Sequence, residues 1–215
     1  MNKLRDTELI ITNSGRIYHL NLKKEEIADD IILVGDPNRV EQISNKFEKI
    51  DFKITHREFI THTGYYNNKK ISVISSGIGT DNIDIVINEL DALANINFES
   101  RQINKIKKSL NIIRLGTSGG LNKKTDVDSF LVSEYAIGLD GLAHFYKNND
   151  VLDQELSKMF FNKTNWSKNH ASPYSVKASY KLLNKFNNFN KGITLTATGF
   201  YGCLLYTSDA ADDSL

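Results

Sequence analysis

Arg114 is the residue whose setting most demands a chemical explanation. It lies in Asn111-Ile112-Ile113-Arg114-Leu115-Gly116, which reads as a core strand. A guanidinium there must find an anionic partner, because left unpaired it costs several kcal/mol. That partner is either an Asp or Glu elsewhere in the chain or a bound anion. The next residues, Thr117-Ser118-Gly119-Gly120, favour the anion: small residues let backbone N–H groups approach an oxyanion closely, and the two hydroxyls can add donors. Gly35-Asp36-Pro37-Asn38-Arg39 offers a second such arrangement, with the Gly35 amide at a strand end and Arg39 on the first helical turn, unless Arg39 merely faces solvent. His56-Arg57-Glu58 supplies a third Arg, whose alternative is a local pair with Glu58. His19, in Ile17-Tyr18-His19-Leu20, reads by itself as an edge-strand histidine.

Several other chemistries are excluded by pattern. Gly77-Ile78-Gly79 precedes a helical pattern, but Asn82 occupies the third glycine position of a dinucleotide fingerprint and no acidic residue follows at the expected strand end. No P-loop, HExxH or G-x-S-x-G motif occurs, and the five His are scattered without metal-ligand spacing. Phosphate without a metal is the ligand this set of residues could hold.

The elements that must position these residues alternate between strand and helix. Ile31 to Val34 is an apolar strand ended by Gly35-Asp36-Pro37, with Asp36 as cap and Pro37 in the first turn of a helix over Arg39 to Asn45. Phe47 to Thr63 is extended, Asn67-Asn68 is a turn pair, and Lys70 to Ser76 alternates as a strand, so a hairpin is expected. Ile83, Val86, Ile87, Leu90 and Leu93 then recur at helical spacing. Asn95 to Leu110 is polar and basic without a strong period, and Asn111 to Leu115 follows as a strand. Ser129 to Ile137 reads as a strand, Asp153 to Phe161 and Pro173 to Phe186 as helices, and Gly192 to Thr198 as a last strand. The pattern predicts an α/β fold with a largely parallel or mixed sheet and sites at the strand ends.

Composition agrees with a folded chain. The 215 residues are 40% hydrophobic and 25% charged, enough for one domain with a real core. The net charge of +1 and the interleaving of Lys with Asn and Glu disfavour nucleic acid as a partner. No segment approaches the ~20 apolar residues that cross a bilayer, and the single Cys203 excludes an intrachain disulfide framework, so a cytoplasmic location is expected.

Taken in order, Tyr18-His19-Leu20, Val34-Gly35-Asp36-Pro37-Asn38-Arg39-Val40, His56-Arg57-Glu58-Phe59, Ser76-Gly77-Ile78-Gly79, Arg114-Leu115-Gly116-Thr117-Ser118-Gly119, Leu139-Asp140-Gly141 with His144-Phe145, and Phe200-Tyr201 resemble the nucleoside phosphorylases, most closely the uridine phosphorylases. The resemblance spans about Ile17 to Tyr201. It implies a single-domain, three-layer phosphorylase/hydrolase-like fold with a central mixed sheet flanked by helices. The implied reaction is reversible phosphorolysis of a nucleoside, uridine by preference, to free base and ribose 1-phosphate. Purine nucleoside phosphorylase and a nucleosidase of the same fold are the alternatives. In this reading Gly35, Arg39, Arg114 and Thr117 bind phosphate, while Arg57 and His19 reach a neighbouring subunit's site, to the phosphate and the ribose 5′-hydroxyl. Phe200 packs on sugar and base. The implied assembly is a homo-oligomer, dimer-based and up to a hexamer, with inorganic phosphate as a substrate and no cofactor. Glu58, with backbone near Ile78, matches a monovalent-cation site of the family, although Asn82 stands where the family has Ser.

Two departures accompany the resemblance. The segment Asn95 to Leu110 is longer than its counterpart in uridine phosphorylases. From Cys203 the residue style changes abruptly, and Cys203 to Asp213 resembles a translated sequencing adapter; a natural tail is the alternative. The expectation is therefore a phosphorylase domain over 1–202 that is its N-terminal part, with a non-native tail over 203–215. The family's base readers and ribose-binding Glu would then be missing, leaving an inactive anion-binding remnant.

Overall fold

The computed structural model describes residues 3–121, 125–147 and 150–199. Phe200, Tyr201 and Cys203 to Leu215 lie outside the described residues. The chain forms two compact units, Met1–Ser118 and Gly119–Leu215.

The first unit is built on a five-stranded mixed sheet. Its elements in chain order are β1 (Asp30–Val34), α1 (Asn38–Ser44), β2 (Lys49–His56), β3 (Phe59–Tyr66), β4 (Lys69–Ser75), α2 (Thr80–Asn95), the short pair β5 (Ile96–Asn97) and β6 (Gln102–Ile103), and β7 (Asn111–Leu115). The sheet order is β2-β3-β4-β1-β7. β1 pairs in parallel with both β4 and β7, and β2, β3 and β4 form an antiparallel meander. Asn67 and Asn68, both at positive φ (49° and 60°), make the tight β3–β4 turn, as a two-residue hairpin loop requires.

Alternation along β1 sorts the core onto two faces. Ile31 and Leu33 join Phe59, Ile74 and the Val86, Leu90 and Leu93 stripe of α2, whereas Val34 packs with Val40 of α1 and with Val73. This unit therefore has three layers, helix, sheet and helix. Ile87, expected on the apolar stripe, is exposed, and Glu89 is buried in its neighbourhood. The segment before β1 is tied down by polar contacts: Arg16 makes a two-pronged pair with the buried Glu26 at 2.7 Å, and Thr63 Oγ1 donates to the Glu26 carbonyl. Asn95 to Leu110, read as featureless, contains the β5–β6 pair. Its Arg101, at φ 55°, donates to the carbonyls of Leu4, Arg5 and Leu9, so this segment clasps the N-terminal one.

His62 on β3 is buried, with Nδ1 2.7 Å from Ser44 Oγ. Burial, then Lys53, pushes its pKa below the ordinary 6.5. The unfolded chain then binds the extra proton first, so this contribution to stability is complete above about pH 6.5 and is lost as pH falls through the depressed folded value. Thermal midpoints measured from pH 8 to pH 5 should decline, with a shallower decline in His62→Gln.

The second unit holds β8 (Leu131–Gly138), α3 (Gln154–Lys163), β9 (Tyr174–Lys177), α4 (Tyr180–Leu183) and β10 (Asn190–Thr196). Its sheet order is β10-β8-β9, parallel between β8 and β10 and antiparallel between β8 and β9. Asp153 caps α3, its Oδ1 accepting from Leu156 N at 2.8 Å. The helix expected over Pro173 to Phe186 is only partly present: Tyr174–Lys177 is strand β9, and helix begins at Tyr180. The four residues Tyr-Ser-Val-Lys satisfy their backbone by pairing with β8, which local periodicity over a longer window conceals. Asp140 Oδ1 accepts from Leu142 N (2.7 Å) and Tyr174 Oη (2.8 Å), and burial together with Asp140 pushes the phenol's pKa well up, keeping it a donor. The Asp140-Gly141 stretch is thus a structural anchor of this unit. Among the described residues, no helix is long and apolar enough to cross a membrane.

Candidate active site

The parallel strands β4, β1 and β7 end side by side, Ser75 against Val34 and Val34 against Leu115. Each is followed by small residues, the buried Ser76 with half-buried Gly77, the half-buried Gly35, and the exposed Gly116-Thr117-Ser118, at the carboxyl edge of the sheet, where α/β sheets bind ligands. A Cβ added at Gly35 would lie 3.5 Å from the Gly77 carbonyl oxygen and 3.8 Å from an Arg114 guanidinium nitrogen. A Cβ at Gly116 would collide with that same guanidinium. Arg114 therefore folds over the ends of β1 and β7, with its charge beside the Gly35 backbone.

Arg114 is exposed, which corrects the expectation of a buried guanidinium. Within its unit β7 is an edge strand, so Arg114 escapes the core although its neighbours are apolar. Among the described residues neither Arg114 nor Arg39 has a hydrogen-bond or ion-pair partner. Among these residues no salt bridge accounts for Arg114, and the two cations stand at one sheet end. Arg39 is half-buried in the first turn of α1, four residues beyond Gly35. Asp36 is turned away to the backbone, its Oδ1 accepting from Asn38 N at 2.9 Å. Thr117 is exposed just past β7.

Arg57 and His19 form a separate group. Arg57 sits at the tip of the β2–β3 hairpin at φ 56°, a left-handed conformation costing about 1 kcal/mol for a residue with a Cβ. Its guanidinium lies 5.3 Å from the Tyr18 ring centre and 3.3 Å from Tyr18 Oη. Its expected alternative, a pair with Glu58, is not formed. His19 lies in a turn after the isolated Ile11–Ile17 bridge and not in an edge strand. The hairpin tip shares the sheet end with Gly35 and Arg114, but three strand spacings, about 14 Å, separate it from β7. Glu58 is exposed, and Asn82 Nδ2 donates to the Ile78 carbonyl at 3.3 Å. Gly77 is fixed by its φ of 65° and by Asn82 and Glu58 crowding the space where a Cβ would stand.

The sequence profile of the Phosphorylase superfamily matches residues 29–210. The chain belongs to that superfamily. Within it, a uridine phosphorylase of Thermococcus kodakarensis is 32% identical over 135 residues, covering 63% of this chain and 44% of that protein. A DeoD-type purine nucleoside phosphorylase of Thermoanaerobacter is 27% identical over 197 residues, covering 91% and 68%. A Trypanosoma brucei nucleoside phosphorylase, whose crystal structure is described as showing uridine phosphorylase activity, superposes with a TM-score of 0.79 at 30% identity, over 91% of this chain and 70% of that one. The chain spans less than half the length of the curated uridine phosphorylases it matches.

In this superfamily member the structure brings Gly35 and Arg114 together and sets Arg39 and Thr117 on adjoining loops, while keeping Arg57 and His19 apart from them. Phe200 is outside the described residues. Glu89 is a residue that sequence reasoning missed. It is buried on α2, and its carboxylate accepts from His19 Nδ1 (2.6 Å), His19 N (2.9 Å) and Leu20 N (2.7 Å). Its only signal was an acidic residue one step from the apolar stripe.

The room at Gly35 yields a sharp expectation. Its φ is not in the left-handed region, and the nearest atoms to an added Cβ are at ordinary contact distance. Gly35→Ala should fold normally, with a thermal midpoint within about 2 °C of wild type. The methyl group would stand beside the Arg114 guanidinium where an anion must approach, so phosphate affinity should fall about tenfold, as read by calorimetric titration.

Proposed function

We propose that this chain carries the phosphate site of a nucleoside phosphorylase of the uridine type, and that the whole protein catalyses reversible phosphorolysis of uridine to uracil and ribose 1-phosphate. The observation that carries this reading is the pair of unpartnered cations, Arg39 and Arg114, at a strand end lined by Gly35 and Gly116-Thr117. Phosphate lies on the Gly35 amide, the two guanidinium groups and the Thr117 hydroxyl. Held beneath the anomeric carbon, one phosphate oxygen bonds to C1′ as the bond from C1′ to the base nitrogen breaks. The base leaves with the electron pair, and the oxocarbenium-like sugar is stabilised by the phosphate charge. No covalent nucleophile and no cofactor enter this scheme, since phosphate is itself a substrate.

The site is shared between subunits. The separation of about 14 Å between the hairpin tip and β7 favours Arg57 serving a neighbour's phosphate, and His19, beside Tyr18 and Arg57, serving the neighbour's ribose 5′-hydroxyl. The free cost of holding Arg57 at positive φ supports a role beyond the turn itself. The assembly is a homo-oligomer built from dimers, acting in the cytoplasm. Purine nucleosides are the second reading, favoured by the longer match to the DeoD-type relative.

Uridine and inosine, each with and without phosphate, separate the readings. Uracil release that requires phosphate and yields ribose 1-phosphate supports the proposal. Preference for inosine would select the purine reading, and equal release of base and free ribose in phosphate-free buffer would make the protein a nucleosidase.

A further inference from the structure

Glu89 is positioned to decide which face of His19 a ligand meets. A carboxylate can only accept, so His19 Nδ1, 2.6 Å from Glu89 Oε1, must be the donor of that hydrogen bond. The same carboxylate takes the His19 and Leu20 backbone amides at 2.9 and 2.7 Å, so it is fully engaged by this turn and cannot swing away without stranding two N–H groups. From the other side His56 Nδ1 donates to the His19 carbonyl at 2.8 Å, and the Tyr18 ring meets the imidazole edge-on with centres 4.9 Å apart. Backbone, ring plane and one ring nitrogen are all fixed. The His19 side chain keeps 27% of its surface exposed, whereas the Glu89 side chain keeps 11%, so the ring is the part that reaches a ligand.

We propose that Glu89 is a positioning residue that holds a proton on His19 Nδ1 and fixes the ring so that Nε2 alone faces the ligand's hydroxyl. This rests on the reading that His19 meets the ribose 5′-hydroxyl. A nucleoside meets Nε2 through its 5′-hydroxyl, which can donate or accept. The inference supplies a reason for burying a carboxylate on α2 that neither the sheet nor the phosphate site requires.

The test has two arms. In the first, 15N chemical shifts of the His19 ring in the wild-type protein at neutral pH should show a protonated Nδ1. A ring with an unprotonated Nδ1 overturns the proposal, and this arm needs neither a variant nor activity. In the second, kcat/KM for uridine is compared with that for 5′-deoxy-5′-fluorouridine, similar in shape but without a donor. Wild type should favour uridine, and Glu89→Gln should lose about tenfold of that preference, mainly in KM, with Nδ1 partly unprotonated. If Glu89 merely braces the turn, Glu89→Gln will lower the thermal midpoint and leave both the Nδ1 proton and the preference unchanged, which overturns the proposal. Absence of nucleoside cleavage by the whole protein sinks the functional reading, while the Nδ1 proton still decides the role of Glu89.

Discussion

Arg114→Gln is expected to lower phosphorolysis by about 10²- to 10³-fold while leaving the fold intact. The two halves of that expectation come from different observations. The large loss follows because Arg114 is an unpartnered cation beside Gly35, and Gln retains some of its length and hydrogen-bonding capacity but none of its charge or forked geometry. The small structural effect follows because Arg114 is exposed on an edge strand, so its removal leaves no buried charge stranded and opens no cavity. Arg114→Lys should recover only part of the activity, since a point charge replaces a planar fork. Steady-state kinetics beside thermal unfolding measure both halves. Activity within tenfold of wild type, or a thermal midpoint lowered by more than about 5 °C, would mean that Arg114 has a structural task instead.

The second large effect is subunit complementation. Arg57→Ala and Arg114→Ala, each nearly inactive alone, should regain activity when co-refolded or co-expressed. If Arg57 serves the neighbour's phosphate, a mixed dimer has one site lacking both arginines and one site with both intact. Random pairing of equal amounts then restores roughly a quarter of the wild-type sites. A site formed within one chain regains nothing, because every site still lacks one arginine. The sheet makes this outcome expected: the β2–β3 tip and β7 stand on opposite sides of β4 and β1. Linear dependence of the recovered rate on the mixed fraction would place the restored chemistry in the hybrid species.

Much of the first unit's architecture was legible in the residues because β1 and β4 are covered on both faces and β7 is a short apolar strand beside β1. Strands of that kind write themselves as short apolar runs ending in glycine, and Asp30–Val34 and Asn111–Leu115 match the expected spans within a residue. The strand-end loops were legible for the same reason, since Gly35, Gly77 and Gly116 interrupt apolar runs abruptly. Exposure was less legible. Whether Arg114 is buried depends on which strand, if any, pairs beyond β7, and pairing order is a long-range property that periodicity does not carry. Strand β9 was concealed because four residues lie below the length at which alternation can be told from a helical face. Glu89 was unreadable for a similar reason, its meaning lying in a contact 70 residues away with His19. The distance between Arg57 and Arg114, on which the shared site depends, likewise emerges only from strand order.

Binding of inorganic phosphate at the ends of β1 and β7 is the first requirement of the proposed site. Calorimetric titration of phosphate into the purified protein should give one site per chain in wild type, weakening as ionic strength rises, as expected of exposed guanidinium groups. Arg39→Ala should weaken it strongly and Arg114→Gln should abolish it, each with unfolding unchanged. Phosphate binding of equal strength in wild type and Arg114→Gln, or no binding in a folded wild-type protein, would contradict the account.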